Sequence, residues 1–410
     1  MKQLFSILLK RLCAFMLMLI TSASTLFAYD FYVGGIYYEY GESNVYVTHG
    51  DQKYSGSIVI PPSININGKT LPVIRVTYDA FRDCNELTSV SLPNSIESIL
   101  NNAFEGCTNL VSIPFPSELK GIGYRAFKGC TKLESIALPE GFTGLSGEAF
   151  MNCISLKKIV FPPRVKRIPE GAFSGCTGLL SIILGDSIQF IDKNAFYGCT
   201  SLTALFIPKS VKEIGVSAFE NCIKVETLVL EDSEAGLKIN TVSSFKNVMP
   251  IEVYLGRVNC LDQDNYYENF GIKFSNTKVL AIGKYIETIE KKAHFNNSTW
   301  RDQVYNGNYD VIYAKSMPTF RYNNTTKIYS QLFVPIGSKE EFLANEYYKD
   351  FFNIIEMDVS EMWNGEFELP DIPDPDTPNP DPNYMKCDVN GDGEVNIADI
   401  NTIIEAILSH

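Results

Sequence analysis

A twelve-residue segment near the C-terminus carries the residue types that bind a hard cation. Oxygen-bearing side chains occupy its positions 1, 3, 5, 9 and 12, and Gly393 stands at position 6, where the chain must turn sharply. Position 7 would contribute a backbone carbonyl. The spacing predicts a calcium site, whereas a merely solvated acidic turn would not need a glycine at that position. The predicted ligands are Asp388, Asn390, Asp392, Glu394, Asn396 and Asp399.

Cysteines recur every 23 residues through the middle of the chain, which raises the question of metal, redox or disulfide chemistry. Seven is an odd number, so neighbours cannot all pair, and no histidine shares the column, whereas metal sites need converging ligands. Cysteine is also among the most buried residue types. We therefore predict a ladder of buried free thiols, with some disulfides as the alternative in an exported chain. The column comprises Cys84, Cys107, Cys130, Cys153, Cys176, Cys199 and Cys222.

Other catalytic chemistry finds little support in the residues. The histidines His49, His294 and His410 lie far apart and belong to no motif. There is no nucleophile elbow, phosphate-binding loop, HExxH or dinucleotide fingerprint in the sequence. Carboxylates are numerous, but none forms a recognisable acid–base pair. We predict that the protein is not an enzyme.

The elements that must position the cysteines are repeats. An Ala-Phe dipeptide precedes each cysteine, from Ala80-Phe81 to Ala218-Phe219, always at a spacing of 23 residues. A following Leu-x-x-Ile-x-Leu segment ends at Pro or Gly, which predicts a short strand and a turn. One such coil cannot bury its own apolar side, so neighbours must stack into a solenoid with the phenylalanines in its core.

The residue pattern of the repeat identifies a protein family more specifically than the 23-residue spacing does. The consensus Ala-Phe-x-x-Cys-x-x-Leu-x-x-Ile-x-Leu-Pro-x-x-Val-x-x-Ile resembles the BspA-like, or Treponema pallidum-type, leucine-rich repeats, over roughly residues 56–357. The resemblance implies a secreted or surface-attached bacterial interaction protein, and some members are adhesins for host matrix proteins. We accordingly expect a protein or glycoprotein partner, such as a host extracellular matrix protein or a mucin.

Composition divides the chain into six predicted segments. A basic start followed by an apolar run indicates a secretory signal, and alternating Pro and Asp indicate an extended spacer. Asn67-Gly68 between apolar flanks predicts a hairpin. The segments are a signal peptide (1–28), a β-rich N-terminal cap with a half repeat (29–79), seven leucine-rich repeats (80–240), degenerate repeats with a C-terminal cap (241–357), a Pro/Asp-rich linker (358–385) and a small α calcium-loop module (386–410).

The calcium-loop module resembles one half of a type I dockerin. The isoleucines that follow the loop suit one face of a short helix. Asp399 at position 12 is usual for dockerins but reaches less far than the Glu of an EF-hand. One copy is present, whereas two copies pack face to face in dockerins that bind a cohesin. The resemblance implies an alternative function, a non-catalytic component of a secreted assembly recruited by a cohesin-like partner.

Charge and hydropathy bear on location. The formal net charge is −13, and the sequence shows no basic stripe, which argues against a nucleic-acid partner. After the signal, no apolar run is long enough to span a membrane. We predict that the mature chain is exported and acts outside the cell or at the bacterial surface.

One outward position per strand defines a candidate binding stripe. The residue between Ile and Leu of the strand segment points away from the core, because strand side chains alternate. Along the copies this position changes from small to apolar, and an exposed apolar row is typical of a partner site. The alternatives are that β-branched residues merely suit a sheet, or that a loop from residues 256–330 covers the row. The candidate residues are Val160, Ile183, Phe206, Val229 and Tyr254.

Overall fold

A computed structural model describes residues 29–240, 242–257, 259–261, 279–283, 288–289, 294–295, 298–299, 311–314, 319–320, 328–344 and 351–359. The predicted signal peptide, all but the first two residues of the linker, and the predicted calcium loop lie outside these described residues.

Antiparallel strands lead into the repeats. Gly34 and Gly35 both have positive φ, 59° and 85°, as the tight turn between the first two strands requires. The hairpin predicted at Asn67-Gly68 is confirmed, and it joins two further antiparallel strands. The strands are β1 (Phe31–Val33), β2 (Ile36–Tyr40), β3 (Val45–Thr48), β4 (Gly56–Val59), β5 (Ser63–Ile66) and β6 (Lys69–Val76).

The repeats form a parallel solenoid with roughly 23 residues per coil, as the spacing predicts. Most coils carry a longer strand and a strand of two or three residues. In chain order these are β7 (Leu87–Ser91), β8 (Ser98–Ile99), β9 (Gly121–Ile122), β10 (Gly144–Leu145), β11 (Lys158–Val160), β12 (Arg167–Ile168), β13 (Ser181–Ile183), β14 (Phe190–Ile191), β15 (Ala204–Ile207), β16 (Glu213–Ile214), β17 (Thr227–Leu230), β18 (Leu237–Ile239), β19 (Glu252–Leu255) and β20 (Asn259–Leu261).

The longer strands continue towards the C-terminus in the described part of the chain. The order β15-β17-β19-β21-β25-β27-β28 forms one sheet of parallel pairs, and β12-β14-β16-β18-β20 forms a second. The remaining elements are a 3-10 helix (Val242–Phe245), β21 (Val279–Ile282), β22 (Thr288–Ile289), β23 (His294–Phe295), β24 (Ser298–Thr299), β25 (Val311–Ala314), β26 (Thr319–Phe320), β27 (Ile328–Pro335), α1 (Lys339–Ala344) and β28 (Phe351–Met357).

A column of stacked phenylalanines forms the centre of the core, as the repeat predicts. Neighbouring ring centroids lie 4.7–5.5 Å apart with planes within 14° of parallel. This distance is close to the separation of hydrogen-bonded strands, so one ring fits each coil. Tyr54 covers the N-terminal end of the stack, 4.5 Å from Phe81. The column is Phe81, Phe104, Phe127, Phe150, Phe173, Phe196, Phe219 and Phe245, all buried.

The residue before each cysteine explains part of the repeat's turn chemistry. It adopts a left-handed conformation in every one of these coils, with φ between 56° and 76°. A side chain with a Cβ is disfavoured there, and only Gly, Asn and Asp occur. The residues are Asp83, Gly106, Gly129, Asn152, Gly175, Gly198 and Asn221.

The short-strand ladder is interrupted between β10 and β12. In other coils, the residue that follows the two-residue strand donates its backbone N–H to a carbonyl of the previous coil. Ser146 N donates to Ile122 O at 3.0 Å, and Asp192 N donates to Ile168 O at 2.9 Å. Pro169 holds the equivalent position and has no N–H to donate. The two strands are not paired in the described structure, and β12 begins a new sheet.

Candidate binding surface

The stripe residues lie side by side on the longer strands. Val160 is the register partner of Ile183 across β11 and β13. Phe206 pairs with Val229, and Val229 pairs with Tyr254, across β15, β17 and β19. Strand alternation has therefore placed these five side chains in one row, on the side of the strands away from the phenylalanine column.

Exposure divides the row into two parts. Val160 is 37% exposed, whereas Ile183, Val229 and Tyr254 are only 4%, 1% and 1% exposed. Val229 and Tyr254 form a small apolar cluster with Ala281, separate from the main core, and half-buried Phe206 packs against it. The expected solvent exposure is thus wrong for these three residues, although their outward direction follows the alternation. We call Ile183, Phe206, Val229 and Tyr254 the buried stripe.

The N-terminal part of the row faces solvent. Its residues Ser91, Pro114, Ala137 and Val160, which we call the exposed stripe, are all exposed. Most of these side chains are small, so a partner can approach the backbone of these coils closely. A hydroxyl pair, Ser89 Oγ donating to Ser57 Oγ at 2.7 Å, joins β7 to β4 beside the stripe. Of the five candidate residues, only Val160 belongs to the exposed stripe, which continues the same repeat position into earlier coils.

The cysteine column is a structural ladder. All seven thiols are buried and free, as predicted. From the second coil onward, each Sγ–H donates to the phenylalanine carbonyl of the previous coil, with distances from 2.9 Å at Cys107 to 3.4 Å at Cys199. Burial raises the pKa of the Cys176 and Cys222 thiols to about 12. The thiols are therefore protonated donors that link coils, and a thiolate nucleophile is not available there at neutral pH.

Sequence reasoning missed Arg257, which is completely buried. Its Nη1 donates to Val211 O at 2.7 Å and its Nη2 to Pro208 O at 2.9 Å, with longer contacts to Lys209 O and Ile207 O. Burial lowers the pKa of the guanidinium to about 10, while the nearby carboxylate of Glu231 opposes that shift. Arg257 thus fixes the turn after β15, close to the buried stripe. A single arginine after a strand carries no sequence signal for such a role.

The repeat chemistry on these coils matches a known family. The sequence signature of the BspA type leucine rich repeat region occurs in six copies and matches residues 74–199, 143–254 and 166–301. The chain belongs to the BspA-type leucine-rich-repeat family. No curated protein shows significant sequence similarity to it.

Several solved structures resemble this BspA-type protein. The leucine-rich-repeat protein of T. pallidum is 31% identical, and the match covers 48% of this chain and 90% of that one, with a TM-score of 0.43. A leucine-rich cell surface protein from Faecalibacterium prausnitzii is 20% identical over 82% of this chain and 96% of its own, with a TM-score of 0.46. The pneumococcal vaccine antigen PcpA is 16% identical over 80% and 98%, with a TM-score of 0.36.

The described residues show neither a membrane-spanning helix nor a cluster of metal ligands. No helix in this part of the chain has the length and apolar character needed to cross a bilayer. No group of three or more His, Cys, Asp or Glu side chains in the same residues is placed to hold a metal ion. The predicted calcium ligands lie outside the described residues.

Proposed function

We propose that this protein is an exported bacterial recognition protein, adhesin-like and non-catalytic, that binds a protein or glycoprotein through the exposed stripe. A host matrix protein or a mucin is the expected partner. The observation that carries the proposal is a row of exposed outward positions, Ser91 to Val160, on successive coils of a rigid BspA-type solenoid. A rigid face costs little conformational entropy when it binds, and an extended row suits an extended partner.

The remaining segments fit this role. Solenoids need terminal units that shield the first and last coils, and we assign this role to the strands of residues 29–79 and to the segment 241–357. The Pro/Asp-rich linker (358–385) would hold the solenoid away from its point of attachment. The calcium-loop module would then serve retention rather than recognition.

The exposed stripe can be tested with a matched pair of double variants of residues 29–410. Ala137→Glu with Val160→Glu places two carboxylates on the stripe. Ile154→Glu with Ile223→Glu places the same charge at two exposed apolar positions outside it, which are 45% and 50% exposed. We expect the first pair to weaken binding to a matrix protein or mucin by about tenfold or more, because a charge buried at an interface loses its water. The control pair should bind like the parent.

Surface plasmon resonance against a panel of matrix and mucin proteins gives the measurement. Equal loss in both double variants would show that net charge, not the stripe, governs binding. Binding to no member of the panel would leave the adhesin-like function without support.

The calcium-loop pattern favours one second function, a non-catalytic component of a secreted assembly. Asp388→Ala with Asp392→Ala removes two predicted ligands, and chelation removes the ion itself. If the recognition function is right, neither change affects binding to the panel. Loss of a cohesin-like partner on either change, with no panel binding by the parent, would support the assembly function instead.

A further inference from the structure

We propose that the junction between β10 and β12 binds an anionic group, a sulfate or a carboxylate, of an acidic polysaccharide. This surface belongs to the short-strand side of the coils, so it is separate from the exposed stripe. The proposal rests on the proposed function only in placing the protein outside the cell.

Basic residues are concentrated on one coil of an otherwise acidic chain. Five cations fall within residues 157–167, while the formal net charge is −13. Val165 is buried, so its neighbours Arg164 and Lys166 both extend into solvent, and neither forms an ion pair with any described residue. Two positive charges on either side of Val165 thus form no ion pair within the described part of the chain. The five residues are Lys157, Lys158, Arg164, Lys166 and Arg167. Lys157 and Lys158 belong to the β11 side of the coil, so the short-strand side carries Arg164, Lys166 and Arg167.

Arg167 adds a third charge in a fixed position. Its Nη1 lies 2.5 Å from Asp192 Oδ1, and its guanidinium carbon lies 4.3 Å from the ring centroid of Phe190. The carboxylate offsets part of this charge, while the ring holds the side chain in place. The aromatic face beside it is half-buried, which leaves an apolar surface next to the cations.

The same coil has unpaired backbone donors. In neighbouring coils, Thr143 N donates to Lys120 O at 3.0 Å and Gln189 N donates to Lys166 O at 2.8 Å. The equivalent amides of Lys166 and Arg167 donate to no described backbone carbonyl. Pro169 accounts for this interruption, because it removes the hydrogen bond that would close the ladder at this junction. Two N–H groups are therefore left for a ligand among the basic side chains.

Glycines leave space in front of these donors. Gly141 and Gly144 hold the positions that Arg164 and Arg167 hold one coil later. A Cβ added at Gly144 would meet only Lys120 O, at 3.9 Å, and one at Gly141 only Ser117 O, at 3.7 Å. No side chain of the preceding coil therefore fills the junction at these two positions. Backbone N–H groups combined with Arg and Lys form the donor set that binds oxyanions most strongly.

The arrangement of charge suits a polysaccharide. Lys120 and Lys212 hold the position of Lys166 two coils away on either side, about 10 Å along the solenoid axis at the usual strand spacing. Lys120 Nζ lies 3.3 Å from Glu97 Oε2, and Lys212 Nζ donates to Gln189 Oε1 at 3.2 Å, so these two cations are partly engaged. A linear polymer with separated anionic groups would meet its main cations at Arg164 and Lys166 and weaker ones two coils away. A nucleic acid carries far denser charge and would need a continuous basic stripe to overcome the net negative charge.

Heparin, hyaluronan and neutral dextran serve as sulfated, carboxylated and uncharged probes for the mature chain, residues 29–410, in isothermal titration calorimetry. Arg164→Ser with Lys166→Gln gives this coil the residues of the next one, Ser187 and Gln189. We expect the variant to bind the anionic probe about tenfold more weakly and with a shallower salt dependence. Lys132→Ser with Lys224→Ser removes the same charge elsewhere and should bind like the parent.

A separate variant tests the contribution of the two backbone amides to probe binding. Pro169→Ser restores an N–H while keeping every charge, so the ladder can close and occupy the amides of Lys166 and Arg167. We expect slower hydrogen exchange at these two amides together with about threefold weaker probe binding. Slower exchange with unchanged affinity would exclude the amides from the site.

The outcomes separate the possibilities. Binding of heparin but not hyaluronan identifies sulfate as the ligand group, and the reverse identifies carboxylate. Equal loss in the Arg164/Lys166 and Lys132/Lys224 variants, or no binding to either anionic probe, overturns the proposal. Neither result affects the panel test of the exposed stripe, because that test uses variants at the outward repeat position of Ala137 and Val160 and leaves the short-strand side unchanged.

Discussion

Above about pH 9, this protein is expected to lose stability steeply, because its seven buried thiols cannot ionise while the coils stay folded. Desolvation raises the pKa of every cysteine in the column, to about 12 for Cys176 and Cys222. An exposed thiol in the unfolded chain titrates near 9. Between these values the unfolded state releases protons that the folded state retains.

The sign of the effect follows from this difference in proton binding. The contribution of each thiol is fully present below pH 9 and is lost as the pH rises towards the folded pKa. Each strongly shifted thiol contributes about 1.4 kcal/mol per pH unit, so the six from Cys107 to Cys222, if they unfold together, contribute about 8 kcal/mol per unit. If coils unfold separately, the pH dependence of each unfolding transition reflects only the thiols of the coils that unfold in it.

Urea unfolding monitored by circular dichroism between pH 7.5 and 10, under reductant, measures this slope. Cys130→Val with Cys153→Val provides the matched control, since Val248 occupies the same column in the chain. We expect unfolding of this control variant to release about two fewer protons, so that its stability falls less steeply with pH. A flat stability between pH 8.5 and 10, or an identical slope in the control, would contradict the buried ladder. The pH range ends at 10 because burial also raises the pKa of Tyr38, to about 12. Above pH 10 this tyrosine would add its own pH dependence to that of the thiols.

Removing one ring from the phenylalanine column is expected to have the second large effect. Phe150 is fully buried, and its ring centroid lies 5.2 Å from that of Phe127 and 5.4 Å from that of Phe173. Phe150→Ala should lower the free energy of unfolding by about 3–5 kcal/mol, through lost burial and the cavity left behind. Because each coil contacts only its neighbours, the defect should also separate the solenoid into two units that unfold at different urea concentrations.

Phe190→Ala is the control for this prediction. Its ring is half-buried at the surface under Arg167, so its loss should cost only about 1 kcal/mol. Phe150→Leu retains most of the volume and should fall between the two. If Phe150→Ala costs no more than Phe190→Ala, the stacked column is not the main source of stability.

The sequence by itself determined the solenoid, its period and its core. An exact repeat gives each coil closely similar packing around its axis, and the phenylalanine and cysteine columns are buried in every coil. Phe127 and Cys130 could therefore be assigned to the core without knowledge of any other contact. The Gly, Asn and Asp residues before the cysteines, such as Asn152, suit the left-handed turns that the structure shows there.

The accessible surface was decided only by tertiary structure. Alternation along a strand determines the side to which Val229 and Tyr254 point, but not what packs on that side, and both are buried. Arg257 acts on carbonyls 46–50 residues earlier, a contact that no local pattern encodes. The gap at Pro169 likewise depends on the carbonyls of the preceding coil. A repeat specifies what every coil shares, whereas a binding surface is made where neighbouring coils differ.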